Sequence, residues 1–181
     1  MYRQLYIFVE GDDDERFVDR ILRPILNERY DYIGCYKYAQ RSKSKVEKFV
    51  RSIAAREIDF FCLVDIDSSP CITNRKEMAR DTKFGDVEYG RIAVVRMEIE
   101  SWYLAGLSDE SCQRLHISSY DQTDSICKEG CEKILDKSKL GYTANCKIEI
   151  LKNYNLTTAR SKNISFDHFY RKHLLHSHTL Y

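Results

Sequence analysis

Proline and glycine are scarce, with two and seven residues in a chain of 181. That scarcity leaves little material for long linkers and favours compact structure. Long apolar runs are missing as well. Nothing approaches the roughly 18 consecutive apolar residues of a membrane span, so no membrane partner is expected. The opening Met1-Tyr2-Arg3-Gln4 leads into only five apolar residues before Glu10, which is not the form of a secretion signal. The expected location is cytoplasmic, and the seven cysteines are expected as reduced thiols. Excess charge is lacking too: 29 basic residues stand against 28 acidic ones, a net of +1. A nucleic-acid partner would therefore need a local basic patch, because no global basic field exists. Neither a GxGxxG turn nor a Walker loop occurs, so no dinucleotide or ATP is expected on this chain. Internal repeats and low-complexity tracts are absent.

What is present is acid at the ends of apolar runs. Phe60-Phe61-Cys62-Leu63-Val64 runs straight into Asp65, and Asp67 follows two positions on. A run of that length predicts a short strand buried on both faces, as in a parallel sheet. An ionised carboxylate is costly in a dry core unless it is paired or binds a metal. Side chains two apart in an extended chain point the same way, so Asp65 and Asp67 are expected to converge as the strand leaves the sheet. Leu5-Tyr6-Ile7-Phe8-Val9 has the same design and ends in Glu10-Gly11. Ligands of open α/β sheets bind outside the carboxyl ends of the strands. Two strands delivering acid to that edge predict an oxygen-rich pocket for a hard cation, Mg²⁺ or Mn²⁺. A third strand, over 91–97 with Ile92-Ala93-Val94-Val95 as its core, runs on into Glu98 and Glu100.

Between these strands the spacing becomes helical. Asp12, Asp13 and Asp14 offer an N-cap and an acidic first turn, followed by Phe17, Val18, Ile21, Leu22 and Ile25. Pro24 is expected to kink or end that helix. Residues 30–38 read as another strand. A helix over 42–56 has Val46, Phe49, Val50 and Ile53 as its buried stripe. Arg41, Lys45, Lys48 and Arg51 follow its other face at spacings of four, three and three. They read either as a solvated face or as a stripe that contacts phosphates. Residues 72–83 read as an exposed, charged helix. The order β-α-β-α-β-α-β predicts an α/β fold: a Rossmann-like parallel sheet of about four strands flanked by helices. Composition changes after Gly106, and helices are expected over 109–115, 124–135, 143–154 and 165–175. The expected division is a core at 1–106 and a helical extension at 107–181, packed on the core or on a partner.

The order and spacing of three motifs carry a resemblance. Val9-Glu10-Gly11 with its acidic helix start, and Val64-Asp65-Ile66-Asp67, resemble the Toprim domain of topoisomerases, primases and OLD-type nucleases. Ile99-Glu100-Ser101-Trp102-Tyr103 is similar to the Glu-x-Trp segment of small stand-alone Toprim proteins related to the OLD nucleases. Ala159-Arg160-Ser161 and Ser165-Phe166-Asp167-His168-Phe169 look like the closing helices of the same proteins. The resemblance implies adjacent parallel strands with Mg²⁺ at their tips, and a nuclease acting on DNA or RNA. It also implies an ATPase partner in defence against phage for some relatives. In this reading Glu10, Asp14, Asp65, Asp67 and Glu100 are metal ligands. Glu10, Asp65, Asp67 and Glu100 carry the catalysis, with Glu10 as ligand or general base. Two cations roughly 4 Å apart would activate water and stabilise the leaving oxygen.

Structural readings compete at several of these positions. The acids from Asp12 to Glu15 suit a helix start, and Glu100 suits a helix dipole. OLD-type nucleases add a lysine, for which Lys133, Lys137 and Lys139 are candidates by position only. Asp65-Ile66-Asp67-Ser68 also resembles the nucleophile motif of haloacid-dehalogenase-like phosphatases, with Asp65 attacking phosphate. A third possibility is a binding module without catalysis. Trp102 reads as core. Cys112, His116, Cys127, Cys131 and Cys146 lack standard zinc spacing, and Cys35, Cys62 and Cys71 read as core or incidental. His168, His173, His176 and His178 lie beside Arg171 and Lys172, as a solvated tail or a phosphate-contacting end.

Overall fold

The computed structural model describes residues 2–138 and 141–175. The chain divides into two compact units between Val95 and Arg96.

The first unit is built on a parallel sheet of four strands. They are β1 (Gln4–Val9), β2 (Tyr32–Lys37), β3 (Asp59–Asp65) and β4 (Ile92–Val95), in the spatial order β2-β1-β3-β4. Leu5 pairs with Ile33 on one side and Asp59 on the other, and Asp65 pairs with Val95. Every residue from Phe60 to Val64 is buried, as are Leu5 and Ile7 to Val9. Such strands need no polar alternation, because a parallel sheet is covered on both faces. One face gathers Phe8, Phe60, Cys62, Val64 and Ile92 against Val46, Val50 and Ile53 of α3 (Lys43–Ala54). Phe8 meets Phe60 and Phe84 edge to face, with ring centroids 5.9 and 5.8 Å apart. Each such buried side chain stabilises the fold by roughly 1.5–3 kcal/mol.

The first helix does not stop at its proline. α1 (Asp12–Phe17) passes through a π-helical turn over Val18–Leu22 and continues as α2 (Arg23–Leu26), with Pro24 in the first turn of the last piece. A proline has no N–H to give the preceding turn, and widening that turn changes the hydrogen-bond register without breaking the helix. α4 (Ile72–Ala79) likewise ends in a π-helical turn over Arg80–Phe84.

The second unit is helical: α5 (Ile99–Ala105), α6 (Asp109–Leu115), α7 (Lys128–Asp136), α8 (Ala144–Lys152), α9 (Leu156–Lys162) and α10 (Ile164–Phe169). The division falls earlier than the composition change suggests. α5 packs on α7, α8 and α9, so the Glu100–Tyr103 segment belongs with the helices. Trp102 is fully buried, donates its indole N–H to Ser165 Oγ at 2.8 Å, and packs its ring on Phe166 and Phe169. α9 has no counterpart among the four helices expected after Gly106, although it contains the Ala159-Arg160-Ser161 segment that resembles a closing helix. α7 starts later than expected because Asp124 is used elsewhere: its carboxylate accepts the N–H groups of Ile164 and Ser165. Buried Asn163 caps α10 by accepting from Phe166 N at 2.9 Å and donates to Thr123 Oγ1 at 3.0 Å.

A Cβ added at Gly106 would lie 2.1 Å from the ring of half-buried Tyr154. Gly106→Ala is expected to cost about 1–3 kcal/mol in urea unfolding, the range for overpacking a filled site. A neutral result would show that this close approach can relax.

Candidate functional site

The sheet order places a topological switch between β1 and β3. From β1 the chain crosses to β2 on one side, then returns to place β3 on the other. In open α/β sheets such a switch opens a crevice outside the carboxyl ends of the flanking strands. Here those ends carry Glu10, which follows β1, and Asp65, the last residue of β3.

Tyr38, just past β2, lies buried beneath this edge. Its N–H donates to Val9 O at 3.0 Å, and its ring meets Phe84 at 4.9 Å between centroids. Its hydroxyl lies 3.2 Å from Leu63 O and 3.4 Å from Glu10 Oε2, between the exits of the two central strands. Burial, and then the charges of Glu10, Asp14 and Asp65, push its phenol well above the usual value. The charges of three carboxylates, after β1, in α1 and at the end of β3, therefore act on one enclosed hydroxyl, which stays protonated at neutral pH and serves as a donor. Asp14 is itself buried, and its Oδ2 accepts the Gly11 N–H at 3.0 Å. It caps α1 and brings a third acid inward. Asp12 and Glu15 are held outside by Lys37, at 2.9 and 2.8 Å, and Asp13 pairs with Arg16.

Asp67 departs from the expected geometry. β3 ends at Asp65, and Asp67 lies in a turn at φ 49°, so alternation along a strand no longer sets its direction. Its carboxylate lies 2.8 Å from Arg75 Nη2 of α4.

The acids after β4 also go elsewhere. The strand ends at Val95, and Met97 turns the chain at φ 64°. Glu98 becomes the N-cap residue of α5, and its carboxylate accepts the Lys128 N–H. Glu100 is 4% exposed and lies 3.4 Å from Lys147 Nζ, a lysine 6% exposed on α8. Lys147 also donates to Tyr142 Oη at 2.8 Å, and Tyr142 donates to Glu100 at 3.2 Å. Burial first of all pushes the Tyr142 phenol up to about 12. Glu100 thus supplies the anion of an enclosed ion pair. Lys147 was not among the lysines singled out by position. Lys133 and Lys137 are exposed, and Lys139 lies outside the described residues. The helical spacing of Lys147 with Ile150 and Leu151 would have placed it on the buried stripe of α8.

Arg41, Lys45, Lys48 and Arg51 are all exposed on or just before α3. The guanidinium of Arg41 lies over the Tyr36 ring, 5.0 Å from its centroid, and Arg51 pairs with Glu47 at 3.3 Å. An open groove of about 570 Å³ is lined by Glu10, Asp12, Lys37, Gln40 and, alone of these four, Arg41. Burial pushes the Cys62 thiol up and takes Cys35 to about 12, so neither is a ready thiolate. Cys112, Cys131 and Cys146 are buried in the second unit. His168 and His173 lie on the closing helical stretch, and His176 and His178 lie outside the described residues.

The donor set suits a hard cation in kind. Glu10 and Asp65 offer carboxylate oxygens, and Mg²⁺ is commonly held by one or two carboxylates plus waters. It does not suit an all-protein cage. Among the described residues, no group of three or more His, Cys, Asp or Glu is gathered so as to hold an ion. Comparison with protein-family models, with curated proteins and with solved structures finds no match.

Lys147→Met leaves Glu100 buried with its cation removed and is expected to cost about 3–5 kcal/mol. Glu100→Gln combined with Lys147→Met should cost clearly less than the sum of the two single changes. Urea unfolding of the four proteins reads this coupling, and strict additivity would show that the two charges do not depend on each other.

Proposed function

We propose that the chain is a divalent-metal-dependent nuclease that hydrolyses phosphodiester bonds of DNA or RNA. The observation that carries this reading is that Glu10 and Asp65 stand at the ends of the two central strands, on either side of the switch of a parallel sheet, with the Tyr38 hydroxyl between Glu10 and Leu63 O. These carboxylates repel a phosphodiester, and a cation between them and the substrate reverses that repulsion. Bound at Glu10 and Asp65, Mg²⁺ or Mn²⁺ would supply an activated water and neutralise charge on the phosphate. The Tyr38 hydroxyl donates toward Glu10 and limits where its carboxylate can swing. Glu10 then serves as a ligand or as the base that takes a proton from water.

The groove beside Glu10 fits the same reading. It sets acid for a cation next to Lys37 and Arg41, which can meet phosphate. The exposed Lys45 and Lys48 extend that positive edge along α3. The Toprim resemblance adds a role in phage defence, with nucleotide hydrolysis left to a separate ATPase partner because the chain has no Walker loop.

Mg²⁺ or Mn²⁺ is expected to support cleavage of plasmid DNA or of RNA by pure protein, and chelation to stop it. The same ions should raise stability by linkage, by about 2.7 kcal/mol at a hundredfold excess over Kd. Asp65→Asn should remove both effects while the metal-free protein melts as the parent does. A metal response unchanged in Asp65→Asn would overturn the assignment, and a phosphoaspartate trapped on Asp65 would move it to a phosphatase.

Binding of nucleic acid should weaken steeply with salt. Removing Lys45 and Lys48 together should make the log–log slope shallower by about two units. Equal slopes for variant and parent would return the stripe to a solvated face.

A further inference from the structure

The outer strand β2 turns an aromatic face toward α3. Tyr32, Gly34 and Tyr36 alternate onto one side of the strand, and Tyr6 of β1 lies opposite Gly34. Gly34 leaves room there: a Cβ would lie 2.8 Å from the Tyr6 ring. Phe49 of α3 meets this face edge-on to Tyr6, at 5.2 Å between centroids. It also stacks on Tyr36 at 4.5 Å, with 16° between the planes. The pile does not end at Tyr36, because the guanidinium of Arg41 lies over the same ring, 5.0 Å from its centroid. Arg41 Nε donates to Lys37 O at 3.3 Å. Lys83 Nζ donates to the carbonyls of Ala39 and Arg41 at 2.9 Å each, so side chain and loop are both held. The pile runs outward from the core: Phe49 and Tyr36 are half-buried, and Arg41 is exposed.

Arg3, Arg80 and Arg91 also lie over rings, but none of them lines the groove that holds Glu10, and Arg41 does. A guanidinium is planar and weakly hydrated, so its edge can donate to phosphate while its face stacks on an aromatic plane. A nucleobase is such a plane, and unpaired bases are bound by stacking on aromatic rings or on arginine. Gln40 lines the same groove, and its amide can both donate to and accept from the edge of a base. Lys45 stands one turn before Phe49 on α3, with Lys48 next to Phe49 in the chain. Both lysines are exposed, so charge for backbone phosphates runs alongside the pile. An internal base of a duplex is stacked between its neighbours and does not reach such a surface unless it leaves the stack. Resting on the nuclease reading above, we infer that the groove takes single-stranded nucleic acid, with an unpaired base stacked on Arg41 and the strand leading along the groove toward Glu10.

Fluorescence anisotropy, in EDTA and again with Ca²⁺, reads the affinity for three kinds of labelled probe. They are a DNA or RNA single strand, the same strand in a duplex, and a strand of equal length built throughout on abasic tetrahydrofuran sugars. The last keeps the phosphates and removes every base. The parent is expected to bind a single strand about tenfold tighter than the duplex or the abasic strand, the scale of one stacked base. Arg41→Lys keeps the charge and removes the plane. It should erase that margin and leave the abasic strand, the duplex and the salt slope unchanged. Arg41 is exposed, so the variant should melt as the parent does. A margin on DNA alone or on RNA alone supports the site and identifies its strand. Equal parental affinities for all three probes, or an Arg41→Lys variant that keeps the margin, would overturn the stacking site and leave the nuclease reading standing. A parent that binds none of the probes would overturn both.

Discussion

A parallel sheet buried on both faces has no room for charge along its strands, and that constraint shapes the first unit. Phe60 to Val64 are all enclosed, so an uncompensated carboxylate among them would bear its full desolvation cost. Charge is displaced to the strand ends, where water and neighbouring donors reach it. The order β2-β1-β3-β4 then decides which ends meet. β1 and β3 are adjacent, and the crossover connections leave on opposite sides, so Glu10 and Asp65 flank one crevice. The acidic edge follows from the burial of everything behind it.

Two enclosed polar groups give that edge its shape. Tyr38 ties the exits of β1 and β3 together through a hydroxyl within reach of both Glu10 and Leu63 O. Arg75 ties α4 to the turn after β3 through Asp65 O and Asp67. The first acts as a neutral donor, since burial and three nearby carboxylates keep its proton on. The second is a permanent cation. Acids at one edge therefore differ in character: Asp67 is held by a guanidinium, Asp14 by the start of α1, and Glu10 lies beside a phenol.

The second unit meets the same cost in another way. Its interior contains Asn163, Glu100 and Lys147, and each is answered by a specific partner. Asn163 caps α10 and reaches Thr123, so a single amide joins the α10 start to the turn before α7. Glu100, Lys147 and Tyr142 close a small polar network within the bundle. Networks of this kind hold their geometry because each group left unmatched would be costly.

Elements whose pattern is local can be read from the residues alone. The four strands, the buried stripe of α3, the extent of α6 and the buried Trp102 all follow from apolar spacing, because periodicity reports directly which face is covered. Glu10 and Asp65 were legible for a related reason: acid at the end of a fully apolar run conflicts with burial unless the run ends at an edge. Which charges meet is set by packing between segments. Asp67 looked like a companion of Asp65, yet a left-handed turn took it to Arg75, ten residues after Asp65 in the chain. Glu100 looked like the acid at the end of β4, yet Met97 turned the chain and Lys147 answered it from α8. Lys147 falls on the buried stripe of α8 by its spacing, but its partner Glu100 stands 47 residues away and only packing brings them together. Partners such as these are chosen by packing between distant segments, and the energy of a buried charge depends on that partner far more than on its neighbours in the chain.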